Sequence, residues 1–244
     1  MSAAWPPDYG RIEFEELDST NEEARRRAKD APCVPLWIRA DRQSLGRGRR
    51  GRSWSSGSGN LAATLLMRPQ CSIAQCAQLS FVTAIAAAHA VRAFTAGVEV
   101  KWPNDILVRS RKIAGILLET AGGSVPEYLA IGVGINLATH PGESLFPATS
   151  LAALGATVPS SQEMLTELAA NFAKWYELWR CDGFGPIRAE WLAQAARLGE
   201  PIRARLTESE VCGVFEGIDE NGALLLRQEQ HTITIAAADV YFGS

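Results

Sequence analysis

Apolar and polar residues alternate through residues 11–17, with Ile12 and Phe14 on one side and Leu17 closing the run, the period of a half-buried strand. Residues 36–40 and the apolar run 61–67 have strand length as well. Helical spacing marks residues 72–95, where Ala77, Phe81, Ile85, Ala88 and Val91 recur on one face. A second amphipathic helix runs from Ser160 through Leu165, Leu168, Phe172, Trp175, Leu178 and Trp179, opened by the capping box Ser160-x-x-Glu163. Pro186 suits the first turn of a further helix, residues 187–198. Near the start, Ser19-x-x-Glu22 or Thr20-x-x-Glu23 predicts another capping box, with a helix to about Lys29 and a stop at Pro32.

Between residues 98 and 119 the pattern is a hairpin with an interruption. Val98, Val100 and Trp102 alternate with Glu99 and Lys101, and Pro103 then breaks the ladder because it has no N–H to give. Asn104 and Asp105 are turn formers, strand resumes at Ile106, and residues 109–112 turn the chain back. Residues 128–137 form an apolar strand with Gly132 and Gly134 inside it, where a ligand or backbone can approach closely. After Gly199 the pattern changes to four short strands, at 201–206, 210–217, 223–227 and 231–235, with Asn221-Gly222 as a hairpin turn. This predicts a small SH3-like barrel (199–244) beside a larger domain (1–198).

Chemistry concentrates in residues 43–60. Gly46, Gly48, Gly51, Gly57 and Gly59 free the backbone, and Arg47, Arg49, Arg50 and Arg52 offer forked donors suited to carboxylate or phosphate oxygens. Such a run is expected to stay mobile until an anion offsets its repulsion. Gly46 to Ser53 nearly fits a phosphate loop, but Arg52 replaces the lysine and no helix follows. A solvated loop and a nucleic-acid patch are the other readings. The formal charge of −3 over 244 residues makes the basic run a local feature, which weighs against nucleic acid. Five scattered cysteines (Cys33, Cys71, Cys76, Cys181 and Cys212) form no C-x2-C pair and suggest reduced thiols in the cytoplasm. His89, His140 and His231 lie far apart, arguing against a histidine metal site, and His89 is read as an ordinary packed or surface residue. No secretory leader or bilayer-length apolar run is evident.

Four motifs in order, Gln43-x-x-Gly-Arg-Gly-Arg-Arg-Gly-Arg-x-Trp54, Lys101-Trp-Pro-Asn-Asp105, Lys112-Ile-Ala-Gly-Ile-Leu-Leu-Glu119 and Gly132-Val-Gly-Ile-Asn136, closely resemble the signature of biotin protein ligases. The likeness runs from about Asp18 to Asn136. It implies an α+β catalytic domain related to class II aminoacyl-tRNA synthetases, with a mixed, largely antiparallel sheet and flanking helices, followed by the SH3-like domain. It also implies two steps: biotin and Mg·ATP give biotinyl-5′-adenylate, and a lysine of a biotin carboxyl carrier domain then takes the biotinyl group.

By position, the resemblance assigns Ser19, Thr20, Asn21 and Gln43 to biotin. Gly46, Arg47, Gly48, Arg49 and Trp54 belong to the closing loop, and Lys112 holds the biotin carboxylate and α-phosphate. Gly115 and Gly134 let ligand lie on the strands. Asn104, Asp105 and Asn136 fall on the ATP side, with Asp105 the candidate toward Mg²⁺, and Lys101 and Trp102 of the same motif are further binding residues. Lys112, Arg47 and Arg49 are the expected catalytic residues. Only about 17 residues precede the motifs, which predicts a ligase without a DNA-binding domain. No membrane partner is expected, and either a monomer or a homodimer fits. A lipoate or octanoyl ligase shares the fold without the arginine-glycine loop, and a nucleic-acid module is the rival of another class.

Overall fold

The computed structural model describes residues 3–30, 35–55, 57–142, 146–206, 209–229 and 231–242. Pro32, Cys33 and Ser56 lie outside the described residues. The larger sheet has seven strands: β1 (Gly10–Leu17), β2 (Leu36–Gln43), β3 (Leu61–Met67), β4 (Val98–Lys101), β5 (Asp105–Val108), β6 (Arg111–Gly122) and β7 (Pro126–Ile135). Their spatial order is β1-β2-β3-β7-β6-β5-β4. Only β1 and β2 run parallel, joined by helix α1 (Thr20–Arg27), and the remaining pairs are antiparallel.

Helices α2 (Ile73–Arg92), α3 (Ser161–Asp182) and α4 (Phe184–Ala193) cover one face and share the main core with it. The other face carries α1 over a smaller cluster of Ala24, Leu36, Ile38, Leu66, Tyr128 and Ala130. Coverage on both faces explains why β3 reads as an unbroken apolar run: all seven of its residues are buried. Helix α2 is long and apolar enough to cross a membrane by length and composition, but its apolar surface is spent inside this core, against the sheet and α3.

The alternation along β7 decides where the cleft lies. Leu129, Ile131, Val133 and Ile135 face the helical core, and Tyr128 and Ala130 face α1. Gly132 and Gly134 continue that second row with no side chain at all. Across the strands, Gly134 pairs with Ala62 of β3 and with Gly115 of β6, so three small residues form one register row. The face of the sheet is hollow there.

The second sheet contains β8 (Pro201–Arg205), β9 (Glu210–Ile218), β10 (Leu224–Gln228), β11 (His231–Ile235) and β12 (Asp239–Tyr241), all antiparallel, in the order β11-β10-β9-β8-β12. Its hairpin Asn221-Gly222 reaches the larger sheet. Gly222 has φ +84°, a Cβ there would strike the Phe81 ring, and its carbonyl accepts the Trp102 indole N–H at 2.9 Å.

Four expectations change in detail. Ser19 is the N-cap of α1 but makes no side-chain cap bond, and the return half of the box is absent as well: the Ser19 N–H donates to Asp18 at 2.7 Å, and Glu22 and Glu23 pair with Arg25, Arg26 and Arg27. The Trp-Pro-Asn-Asp segment is not a kink within a strand. It is the turn of a hairpin, with Lys101 of β4 opposite Asp105 of β5 and a cis peptide at Trp102–Pro103. Helix α4 starts before Pro186 and ends at Ala193, short of the left-handed turn at Arg197 (φ 64°) and Gly199 (φ 80°). Strand β12 has only three residues, too few to show a period.

Candidate active site

A cleft of about 630 Å³ opens over the hollow row, within the usual range for small-ligand sites. Its floor is the glycine patch of β6 and β7. One wall is the junction of β1 and α1 with Gln43, a second is the β4–β5 turn, and a third is the segment after β7. The arginine loop lies across the top, and Asp239 and Val240 of β12 complete the rim. Of the site residues expected from sequence, all but Gly46 line this cleft. Gly46 forms the neck of the loop: its carbonyl accepts the Trp54 N–H at 2.9 Å, and a Cβ would collide with the Trp54 carbonyl.

The end beneath α1 is built from hydrogen bonds. The Thr20 amide and hydroxyl both donate to Gln43 Oε1, at 2.8 and 3.0 Å. The Thr64 hydroxyl lies 2.8 Å from the Thr20 hydroxyl and 2.6 Å from Asn21 Oδ1, while Asn21 Nδ2 donates to Glu119 at 2.7 Å. Asn21 lies directly on Gly132, where a Cβ would strike its amide. Ser19, Thr20 and Asn21 are buried, so their polar groups are held in place before a ligand comes.

Charge gathers at the other end. Lys112 Nζ lies 2.6 Å from Asp105 and close above Gly115, at 3.1 Å from where a Cβ would be. The Trp54 ring covers the same floor: it would collide with a Cβ on Gly134, and Lys112 Nζ is 5.6 Å from its centroid. Arg49 donates to Asn104 Oδ1 at 3.2 Å, and burial lowers its pKa from the usual arginine range. Arg47 stays half exposed at the mouth, 3.8 Å from Glu22. Lys101 is buried with its ammonium 4.2 Å from the Phe146 centroid and 4.7 Å from that of Phe242. Burial brings its pKa down to about 8, against the pull of Asp105. Trp102 and Asn104 brace the turn, the first through Gly222 and the second through Ile116.

Asp239 was not foreseen. It takes Arg52 at 2.7 Å and Arg50 at 3.1 Å, so the second sheet grips the loop. Burial works to raise its pKa, but the Arg52 hydrogen bond and the nearby charges of Arg50 and Arg49 hold it below the usual value. Phe146 and Thr64 were not foreseen either, each in a stretch whose pattern signals only loop or strand. The cleft lining carries five cationic side chains (Arg47, Arg49, Arg52, Lys101, Lys112) against two carboxylates, which suits a polyanion.

A profile of the Biotin/lipoate A/B protein ligase family matches residues 14–136, and one of the Biotin protein ligase C terminal domain matches residues 198–243. The biotin--[acetyl-CoA-carboxylase] ligase of Paracoccus denitrificans is 44% identical over 93% of this chain and 98% of its own length. The chain belongs to the biotin protein ligase family. Within that family, the bifunctional ligase/repressor of Bacillus subtilis is 32% identical over 93% of this chain and 72% of its own length. The biotin protein ligase of Aquifex aeolicus, solved in complex with biotin and ATP, superposes with a TM-score of 0.84 at 26% identity, covering 96% of this chain and 99% of that one. Fold and family are therefore those the four motifs suggested.

Magnesium bound with a nucleotide keeps most of its water and needs one or two protein carboxylates besides the phosphates. Among the described residues no three histidine, cysteine or acidic groups cluster as a metal cage. Asp105 and Asp239, both lining the cleft, are donors of the right kind for an ion that arrives with its substrate.

Proposed function

We propose that this protein activates biotin with ATP and transfers the biotinyl group to a lysine of a biotin carboxyl carrier domain. The observation that carries the reading is the Lys112 ammonium above a glycine floor, facing an arginine loop, at the charged end of a cleft whose other end is neutral and hydrogen-bonding.

In the first step a biotin carboxylate oxygen attacks the α-phosphorus of ATP and pyrophosphate leaves. Thr20, Asn21, Gln43 and Ser19 orient the head group, and the acyl chain runs over Gly115 and Gly134. Lys112, released from Asp105, neutralises the carboxylate and the α-phosphate as negative charge builds, with Arg47 and Arg49 closing from above. Positioning and charge neutralisation supply most of the rate in such transfers. Lys101, Trp102, Asn104 and Asn136 serve the nucleotide side, with Asp105 toward any Mg²⁺ carried by ATP. In the second step the carrier's ε-amine attacks the acyl carbon and AMP leaves with the bonding pair.

Residues 1–198 act as the catalytic domain and 199–244 as the C-terminal domain in this reading. The reaction belongs in the cytoplasm, where free thiols such as Cys71 and Cys76, hydrogen-bonded at 3.4 Å without a disulfide, persist. Incubation with ATP and labelled biotin, then with a carrier domain, tests the reading. Biotin-dependent pyrophosphate release followed by labelled carrier is expected. Release that depends on lipoate instead, or none with either acid, overturns it.

A further inference from the structure

Asn60 ends the arginine-rich segment, is only 3% exposed, and is not part of the cleft lining. Its Oδ1 accepts three successive amides, from Leu137 at 2.9 Å, Ala138 at 3.0 Å and Thr139 at 3.1 Å. Its Nδ2 donates to the Thr139 carbonyl at 2.9 Å and lies 3.2 Å from the Thr139 hydroxyl. Three consecutive N–H groups converging on one oxygen are the geometry that elsewhere binds an anion. Here a neutral side chain from the opposite loop fills that geometry.

The segment it holds is the third wall of the cleft. Pro141, Phe146 and Ala148 of this wall line the site. Its far end is fixed to the catalytic strand: Lys112 N–H donates to Pro147 at 2.8 Å, Thr149 N–H to Lys112 at 2.9 Å, and Asn136 Nδ2 to Thr149 at 3.0 Å. The near end is fixed by Asn60. Gly57, on the same segment as Asn60, lies so close to Thr139 that a Cβ would meet its hydroxyl at 2.5 Å. Trp54, whose ring covers the glycine floor, is six positions before Asn60.

We propose that Asn60 is a positioning residue that couples the arginine loop to the wall formed by residues 137–142 and 146–149, so that biotin settling under the loop prepares the wall for ATP. The proposal rests on the reading of the cleft as a biotin and ATP site. Asn60 touches neither substrate; it transmits the state of one loop to the other through five polar contacts.

The test measures, on the full chain, the affinity for an ATP analogue with a methylene bridge between the α- and β-phosphates, with and without saturating biotin. Wild type is expected to bind the analogue more tightly with biotin present, by about tenfold. Asn60→Leu is expected to reduce that ratio to near one and to raise KM for ATP, with biotin affinity in the absence of nucleotide within about twofold of wild type and kcat little changed. Asn60→Asp still accepts the three amides and is expected to recover most of the ratio. Hydrogen exchange gives a second reading: biotin alone slows exchange at Leu137, Ala138 and Thr139 in wild type and not in Asn60→Leu. Should Asn60→Leu not fold, Asn60→Ser, too short to reach all three amides, carries the same measurements and the same expectations.

An unchanged ratio in the variant overturns the proposal. So does a lowered melting temperature accompanied by equal weakening of biotin and the analogue, which is a purely structural role. Wild type that binds both ligands with no coupling overturns this proposal and leaves the ligase reading standing, whereas wild type that binds neither ligand overturns both.

Discussion

At the scale of single residues, the site contrasts two lysines. Lys112 is paired with Asp105 at 2.6 Å and sits over the floor, so it is in place before any substrate arrives. Lys112→Ala is expected to slow adenylate formation by about 10²- to 10³-fold, the size of effect seen when a donor aimed at developing charge is removed. Biotin affinity should fall far less. Single-turnover adenylate yield set beside a biotin titration checks this, and a near-normal yield contradicts it. Lys101 behaves differently because it is buried between two rings, with a pKa of about 8. An unfolded lysine titrates near 10.4, so between about pH 8 and that value the unfolded chain holds the extra proton and stability from this group rises with pH. Anion binding goes the other way, because the charge is lost over the same interval. KM for ATP should therefore climb above about pH 8 in wild type and stay flatter in Lys101→Arg, which keeps its charge. Parallel pH profiles of the two proteins decide the matter.

At the scale of elements, the arginine loop is held by few and mostly polar contacts: a bridge from Arg47 to Ser53, the Gly46–Trp54 bond, Arg49 on Asn104, and two ion pairs to Asp239. Arg49→Gly removes the loop guanidinium that is half-buried and bonded to the β4–β5 turn. Activated biotin should then escape before transfer. Rapid filtration after a single turnover is expected to show less adenylate retained, and equal retention refutes the idea. Much of this arrangement is legible in sequence for a physical reason. Glycines at 115, 132 and 134 stand out against strand composition, and arginines in a glycine run have no hydrophobic cause. Trp102 was legible as part of a motif but not as a brace, since its partner is a carbonyl 120 positions away. Asn60 and Asp239 were not seen as site residues, because a single amide or acid carries no period and its partners lie 77 to 79 and 187 positions off. The supposed capping box at Ser19 is absent in both halves, with the Ser19 N–H on Asp18 and the glutamates on arginines.

At the scale of the whole molecule, the second sheet is a working part of the cleft. It supplies Asp239 to the rim, Phe242 to the Lys101 ammonium and Gly222 to Trp102. Asp239→Asn keeps the size of the side chain and removes the charge that pairs with Arg50 and Arg52. Arg50 is held at φ 54°, a conformation that only local bonding sustains in a residue with a Cβ. The loop is expected to be cut faster by trypsin in Asp239→Asn than in wild type when no substrate is present, and saturation with biotin and ATP should narrow the gap. Equal cleavage of the two apo proteins rules this out. The Arg52–Asp239 pair also bears on inheritance. Its two halves are encoded at opposite ends of the chain, in domains that recombination could separate. A chimera given a foreign C-terminal domain would keep every catalytic motif and still lose the two ion pairs on Arg50 and Arg52, unless the donor domain brought an acid to the same place.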